Sequence, residues 1–217
     1  MTVNYKSVFD IIGPIMIGPS SSHTAGACAI GRAANSIFQE KPTDIVIHYY
    51  ESFAQTHKGH GPDYAIISGI LGFDPDDSRV PYAIGLARDQ GINITFIEEP
   101  GDSPINHPNT AIIDLKNDDK QVTVAGCSIG GGTLEIREIK MDGFDVKPKG
   151  PLPILLVQGG ENDHQHVTKQ LADLTKVNDQ QQYKTARGNL YEYDLDRRLK
   201  QDEIKKLAQG HANLVYL

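Results

Sequence analysis

The sequence predicts an α+β protein in two parts. Helical apolar spacing and β-branched runs share residues 23–98, sheet signals gather from residue 92 onward, and the last 65 residues read strand–helix–strand–strand–helix–strand. A chain of 217 residues is one large domain or two small ones, at about 150 residues per domain. With 39% hydrophobic and 23% charged residues it can bury a real core, which excludes disorder as its main state.

Composition changes near residue 150. Residues 1–150 hold 12 Lys+Arg against 19 Asp+Glu, whereas residues 151–217 hold 9 of each. Glycine falls from 17 residues to 4 across the same point. Between the halves lies Lys147-Pro148-Lys149-Gly150-Pro151-Leu152-Pro153, whose prolines resist helix and central strand alike. The reading is a domain over 1–148 and a second over 153–217.

In the first part, Ser21 or Ser22 caps a helix from His23 to Gln39, with Ala27, Ile30, Ala34 and Ile37/Phe38 on its apolar side. Asp44–Tyr50 is a strand. Residues 56–61 read as a loop, and Pro62 suits the first position of a helix continuing over Tyr64–Leu71. Asp77 or Ser78 caps another helix to about Gln90, stopped by Gly91. Ile92–Glu98 is a strand, Thr110–Lys116 and Gln121–Ala125 form a hairpin, and Thr133–Ile139 is a strand after a glycine run. The tail reads Pro153–Gln158 strand, Asp163–Thr175 helix, Gln181–Thr185 and Leu190–Leu195 strands, Asp202–Gln209 helix and Asn213–Leu217 strand. That is the split βαβ or ferredoxin-like order. Leu171 and Leu174 are core positions, Tyr191 and Tyr193 share one strand face, and His164, His166 and His211 read as solvated.

Several functions are excluded or disfavoured. A net charge of -7 gives no electrostatic footprint for nucleic acid or an anionic membrane. No apolar run approaches the roughly 18–20 residues of a membrane span. The opening MTVNYKSVFD has no apolar signal region, so a cytoplasmic chain is expected. Two cysteines, Cys28 and Cys127, cannot alone hold an iron–sulfur cluster or a four-cysteine zinc, so no metal is expected on this chain.

Four segments carry chemistry. Ile17-Gly18-Pro19-Ser20-Ser21-Ser22-His23-Thr24-Ala25-Gly26 puts hydroxyls and an imidazole at a helix start, where free N–H groups and the macrodipole favour a carboxylate or phosphate. A base beside an anion pocket suits an enzyme acting on an acid. Thr56-His57-Lys58-Gly59-His60-Gly61-Pro62-Asp63 holds two histidines and a lysine. Its glycines leave His60 open to close approach, and an imidazole suits general-base work. His57 and His60 could share a metal only if this segment turned helically. In Asn106-His107-Pro108-Asn109-Thr110, His107 and Asn109 either face a cleft or bond to nearby backbone. Ser128-Ile129-Gly130-Gly131-Gly132 lacks the spacing of a dinucleotide fingerprint and marks either close backbone approach or a sheet corner.

At these motifs the chain resembles the β subunit of the two-subunit, iron–sulfur-dependent L-serine dehydratases. The resemblance spans essentially the whole chain. It rests on Ser7-Val8-Phe9-Asp10-Ile11-Ile12-Gly13-Pro14, on Ile17 to Gly26, on Lys58-Gly59-His60-Gly61, on His107-Pro108-Asn109-Thr110 and on Ser128 to Gly132, in that order. It implies an allosteric-substrate-binding type of domain followed by an ACT-like tail. It also implies an α subunit whose cysteines ligate a [4Fe–4S] cluster, which acts as Lewis acid on L-serine, and a homodimer or heterotetramer. By position His60 matches the histidine taken as base in this family. Ser20, Ser21, Ser22, His23 and Thr24 match the loop lining the substrate site, with Lys58 beside them. His107, Asn109, Ser128, Gly130 and Gly131 fall at the interface or cleft.

The chain departs from the usual family pattern at Pro62, where a threonine hydroxyl is lost, and at Glu51, which replaces a glycine and adds a carboxylate without a partner. The tail helix begins Glu161-Asn162-Asp163-His164, without the early Asp and Gly of an effector site, which implies a role in dimer contacts. A serine-binding regulatory module that has lost catalysis is the alternative these departures allow.

Overall fold

The computed structural model describes residues 15–211 and 213–217, and of Gly59 and His60 the backbone alone. The opening Ser7–Pro14 lies outside the described residues. The chain forms two compact units, Met1–Glu138 and Ile139–Leu217.

The first unit begins with a π-helical turn, Ser21–Ala25, here the serine turn. It runs directly into α1 (Gly26–Phe38), which Gln39 ends in the left-handed region at φ 60°. There follow β1 (Asp44–Tyr49), α2 (Glu51–His60), α3 (Pro62–Ile70), a 3-10 turn (Val80–Tyr82), α4 (Ala83–Asp89), β2 (Asn93–Glu98), β3 (Thr110–Lys116), β4 (Gln121–Gly130) and β5 (Thr133–Met141). β1 pairs with β2 in parallel and with β3 antiparallel, and β3 pairs antiparallel with β4. α1 lies against α3, β3 and β4, burying Ala27, Ile30, Ala34, Ile37 and Phe38. Complete burial of Ile37 or Phe38 is worth about 1.5–3 kcal/mol each. α1 and α3 meet almost backbone to backbone: a Cβ on Gly31 would lie 2.1 Å from the Ile66 carbonyl oxygen, and one on Gly69 2.1 Å from that of Cys28. Only glycine permits this approach.

Two elements differ from the sequence reading. Residues 51–60 form a helix rather than a loop. No side chain caps α2 and its composition is polar, so neither a start signal nor an apolar stripe announced it. The helix expected from Asp77 starts at Ala83. Asp77 does cap a turn, accepting from the Arg79 N–H at 2.8 Å, but a regular helix from there would put Pro81 past its first turn, where the ring clashes. The glycine run is a sheet corner: Gly131 and Gly132 have φ of 61° and 80°, as a two-residue primed hairpin turn between β4 and β5 requires.

The second unit takes in the end of β5, with β6 (Phe144–Val146) paired antiparallel to it, an element the sequence reading did not assign. Then come β7 (Ile154–Gly159), α5 (Glu161–Leu174), β8 (Val177–Thr185), β9 (Gly188–Leu195), α6 (Gln201–Ala208) and β10 (Leu214–Tyr216). The sheet runs β10-β7-β9-β8 with every neighbouring pair antiparallel, so β9 splits β7 from β8 as in a split βαβ unit. Its core joins Leu155, Val157, Val167, Leu171, Tyr191 and Tyr193, with Leu174 at the margin. Two tail histidines are not solvated. His211 is buried, with Nδ1 3.5 Å from Asp163, and half-buried His164 stacks on Tyr191 at 4.4 Å. Asp163 makes a cap, its Oδ2 accepting from the Gly160 N–H at 2.8 Å.

Candidate functional site

The serine turn is built by its own side chains. Ser20 is extended (φ −147°, ψ 129°) and its Oγ accepts from the His23 N–H at 3.2 Å. Ser20 and Ser22 Oγ lie 3.3 and 3.0 Å from His23 Nδ1, and 3.4 Å from each other. The other ring nitrogen, Nε2, reaches Ser52 Oγ of α2 at 3.4 Å, and the ring leans on Phe53 at 5.4 Å. The cluster is satisfied when Nδ1 accepts from a hydroxyl and Nε2 donates toward Ser52. Ser21 and Ser22 open the helix, so their amides have no carbonyl one turn back. Thr24 is fully buried beneath Gly18.

Below the turn lies Ser128, also fully buried. Its Oγ has no partner among the described residues and sits where a side chain on Gly26 would be. Asn109 reaches it from the loop just before β3: the Ser128 N–H donates to the Asn109 carbonyl at 3.0 Å, and Asn109 Nδ2 lies 3.4 Å from the Ser128 carbonyl. His107 turns inward on its own loop, its Nδ1 accepting from the Asn109 N–H at 3.1 Å. Burial, then the Arg137 charge, holds its pKa below the usual histidine value. Ser20, Ser22, His23, Asn109 and Ser128 are thus gathered round one helix start. Gly130 and Gly131 belong to the hairpin end instead.

The Glu51 carboxylate is not partnerless. Its Oε1 accepts from the Ser103 N–H at 3.0 Å. Ser103 Oγ donates to Thr110 Oγ1 at 2.8 Å, and Thr110 Oγ1 to the His107 carbonyl at 2.6 Å, so Glu51 anchors the loop that carries His107.

A second centre was not foreseen. His57, 4% exposed, lies with Nδ1 2.7 Å from Asp63 Oδ1 and Nε2 2.8 Å from Glu98 Oε1. Lys58 Nζ meets the same Glu98 oxygen at 2.6 Å, so this lysine is engaged with Glu98 rather than with the serine turn. The Lys58 hydrogen bond, then that of His57, draws the half-exposed Glu98 carboxyl down to about 2. Asp63 shifts the other way: its burial outweighs the His57 contact and raises its pKa. The segment does turn helically, but both His57 nitrogens are taken up by carboxyl groups, leaving neither open to a metal. Glu98 lies 41 residues from His57, and no local signal links them. His60 is the last residue of α2, at the junction with α3, and its side chain lies outside what the structure describes. Both α2 and α3 pack against the serine turn.

Chemically, the turn offers hydroxyls, opening amides and an imidazole to a small anion, beside a helix that leads to a second histidine. An α+β unit with this gathering at a helix start, followed by a βαββαβ unit, is the class of molecule described so far. The chain belongs to the serine dehydratase beta chain family. The model of that family, described as "Serine dehydratase beta chain", matches residues 7–90. The chain is 50% identical over 155 residues to the "Probable L-serine dehydratase, beta chain" of Bacillus subtilis (strain 168), covering 71% of this chain and 69% of that one. It is 39% identical over 155 residues to the "L-serine dehydratase, beta chain" of Peptoniphilus asaccharolyticus, covering 70% and 68%. "L-serine dehydratase TdcG" of Escherichia coli (strain K12) is 32% identical over 150 residues, covering 59% of this chain but 33% of that longer one.

Proposed function

We propose that this chain is the β subunit of a cytoplasmic L-serine dehydratase, deaminating L-serine to pyruvate and ammonia with an α subunit that carries a [4Fe–4S] cluster. The supporting observation is that the serine turn packs against both helices that meet at His60. The beta-chain names of the relatives imply a partner subunit. Among the described residues no helix is long and apolar enough to cross a membrane.

This chain's own residues do not fit a cluster. Cys28 and Cys127 are both buried, burial lifts both thiols, that of Cys127 to about 11, and no group of three metal-ligating side chains occurs among the described residues. The cluster is therefore assigned to the partner. This chain's part is to hold and deprotonate. The serine turn binds the substrate carboxylate through the Ser20 and Ser22 hydroxyls and the opening amides. His60 takes the α-proton, the electron pair of that C–H bond forms the double bond, and the β-hydroxyl leaves as hydroxide, which becomes water on taking the proton back from His60. The aminoacrylate then takes up water to give pyruvate and ammonia. Residues 1–148 form the substrate domain in this reading, and 153–217 an ACT-like domain for dimer contacts.

Anaerobic mixing with the α subunit tests it. The chain alone is expected to be colourless and inactive, and His60→Ala in the mixture should lower activity about a hundredfold or more. An inactive mixture with an intact cluster, joined to serine binding by the isolated chain in calorimetry, would identify a regulatory module instead.

A further inference from the structure

We propose that His57, clamped by Asp63 and Glu98, is a positioning residue that fixes the α2–α3 junction and so places His60. The inference rests on the reading of His60 as the base.

The His57–Asp63 bond spans a kink. α2 ends at His60, Gly61 turns the chain at φ 86°, Pro62 starts α3, and Asp63 stands in its first turn. The bond from Nδ1 to Asp63 Oδ1, 2.7 Å, therefore closes a seven-residue stretch whose midpoint is His60. From the other side of the ring, Nε2 at 2.8 Å ties the stretch to Glu98 at the end of β2, and Lys58 clamps the same oxygen at 2.6 Å. Both ring nitrogens are thus engaged by carboxyl groups.

The faces of the ring are fixed as well. Tyr49 lies 4.9 Å away at 31°, and Phe96 6.4 Å away at 36°. With both nitrogens occupied, His57 has no open nitrogen to meet a substrate proton, which leaves positioning as its contribution. The distinction from plain stability is geometric. The clamp bridges the backbone on both sides of one residue, so its loss moves that residue more than it moves the serine turn. Substrate binding at the turn is then spared while proton transfer suffers. A displacement of about 1 Å in a catalytic group can cost about a hundredfold in rate.

The test uses the enzyme reconstituted with its α subunit. Asp63→Ala should lower kcat about thirtyfold to a hundredfold, with KM changed less than about threefold. Asp63→Asn should recover most of kcat, because its amide oxygen still accepts from Nδ1. Glu98→Ala, at the half-exposed end of the clamp, serves as the second variant should Asp63→Ala fail to fold, with the same kcat-selective loss expected. In the isolated chain, amide exchange at Gly59–Gly61 should quicken in Asp63→Ala and return in Asp63→Asn. Unchanged kcat in folded Asp63→Ala or Glu98→Ala, with His60→Ala inactive, overturns the proposal alone, as does an equal loss through KM. Full activity in His60→Ala overturns the base reading, and the proposal with it.

Discussion

Acid groups are treated in opposite ways in the two units. In the first, the buried and half-buried carboxylates that shape the site each face a donor: Asp63 faces His57, Glu98 faces His57 and Lys58, and Glu51 faces the Ser103 amide. In the second, Glu192 and Asp194 stand on the face of β9 opposite Tyr191 and Tyr193, 1% and 8% exposed, with no cationic side chain at bonding distance among the described residues. The Tyr183 hydroxyl donates to Glu192 Oε2 at 2.7 Å, while Glu192 Oε1 and Asp194 Oδ1 have no partner among the described residues. Burial raises both pKa values. The Asp194 charge adds to the rise at Glu192, against Tyr183 and Lys149, and Asp179 adds to it at Asp194. A carboxylate's contribution is thus set by what donates to it.

The strongest way to break the contrast is to remove the donor in the first unit. His57→Leu leaves the Asp63 carboxylate buried without its partner, the condition of the tail pair. Loss of one member of a buried pair costs about 3–5 kcal/mol. Denaturant unfolding of the full chain should show that loss at neutral pH. It should shrink on acidification, as Asp63 takes up a proton.

The second test reads the tail through pH. An acid whose folded pKa lies above its unfolded value binds more protons folded than unfolded, so stability falls as pH rises. For Glu192 and Asp194 the stabilisation is complete below the unfolded values of 4.5 and 3.8 and is lost as pH climbs through their raised folded values. Glu98 slopes the other way: its contribution is present above 4.5 and fades as pH falls toward about 2. Replacing both tail acids, Glu192→Gln with Asp194→Asn, should flatten the fall in melting temperature above pH 5. An unchanged pH profile would show that these carboxyls do not titrate with folding.

Legibility in the sequence followed the same division. The serine turn announced itself, because its chemistry is local and His23 bonds its own neighbours, although the cap is Ser20 rather than the expected Ser21 or Ser22. The tail order was readable because alternation and turns are short-range signals, although polar Val177–Gln180 hid the first half of β8, whose edge strand needs few apolar residues. The His57 centre was invisible. Its partners come from α3 and β2, and α2 itself forms without a cap because Phe53 and His57 pack down from it. His211 was misread for a related reason, since its burial depends on Asp163 far upstream.

Glu51 gives the finest test, because there a donor and a strained backbone oppose each other. Its φ of 44° lies in the left-handed region, which costs a residue with a Cβ roughly 1 kcal/mol. Glu51→Ala keeps that cost and loses the Ser103 contact, whereas Glu51→Gly loses the contact and sheds the cost. The glycine variant should therefore exceed the alanine variant by about 1 kcal/mol in unfolding free energy. Glutamate itself should match or exceed the glycine variant, since a hydrogen bond to a charged group is worth about 1.5–3 kcal/mol when well shielded. If glycine proves clearly the most stable of the three, the Ser103 amide holds Glu51 too weakly to offset its backbone. The loop carrying His107 would then owe its place to Ser103 and Thr110 rather than to the carboxylate.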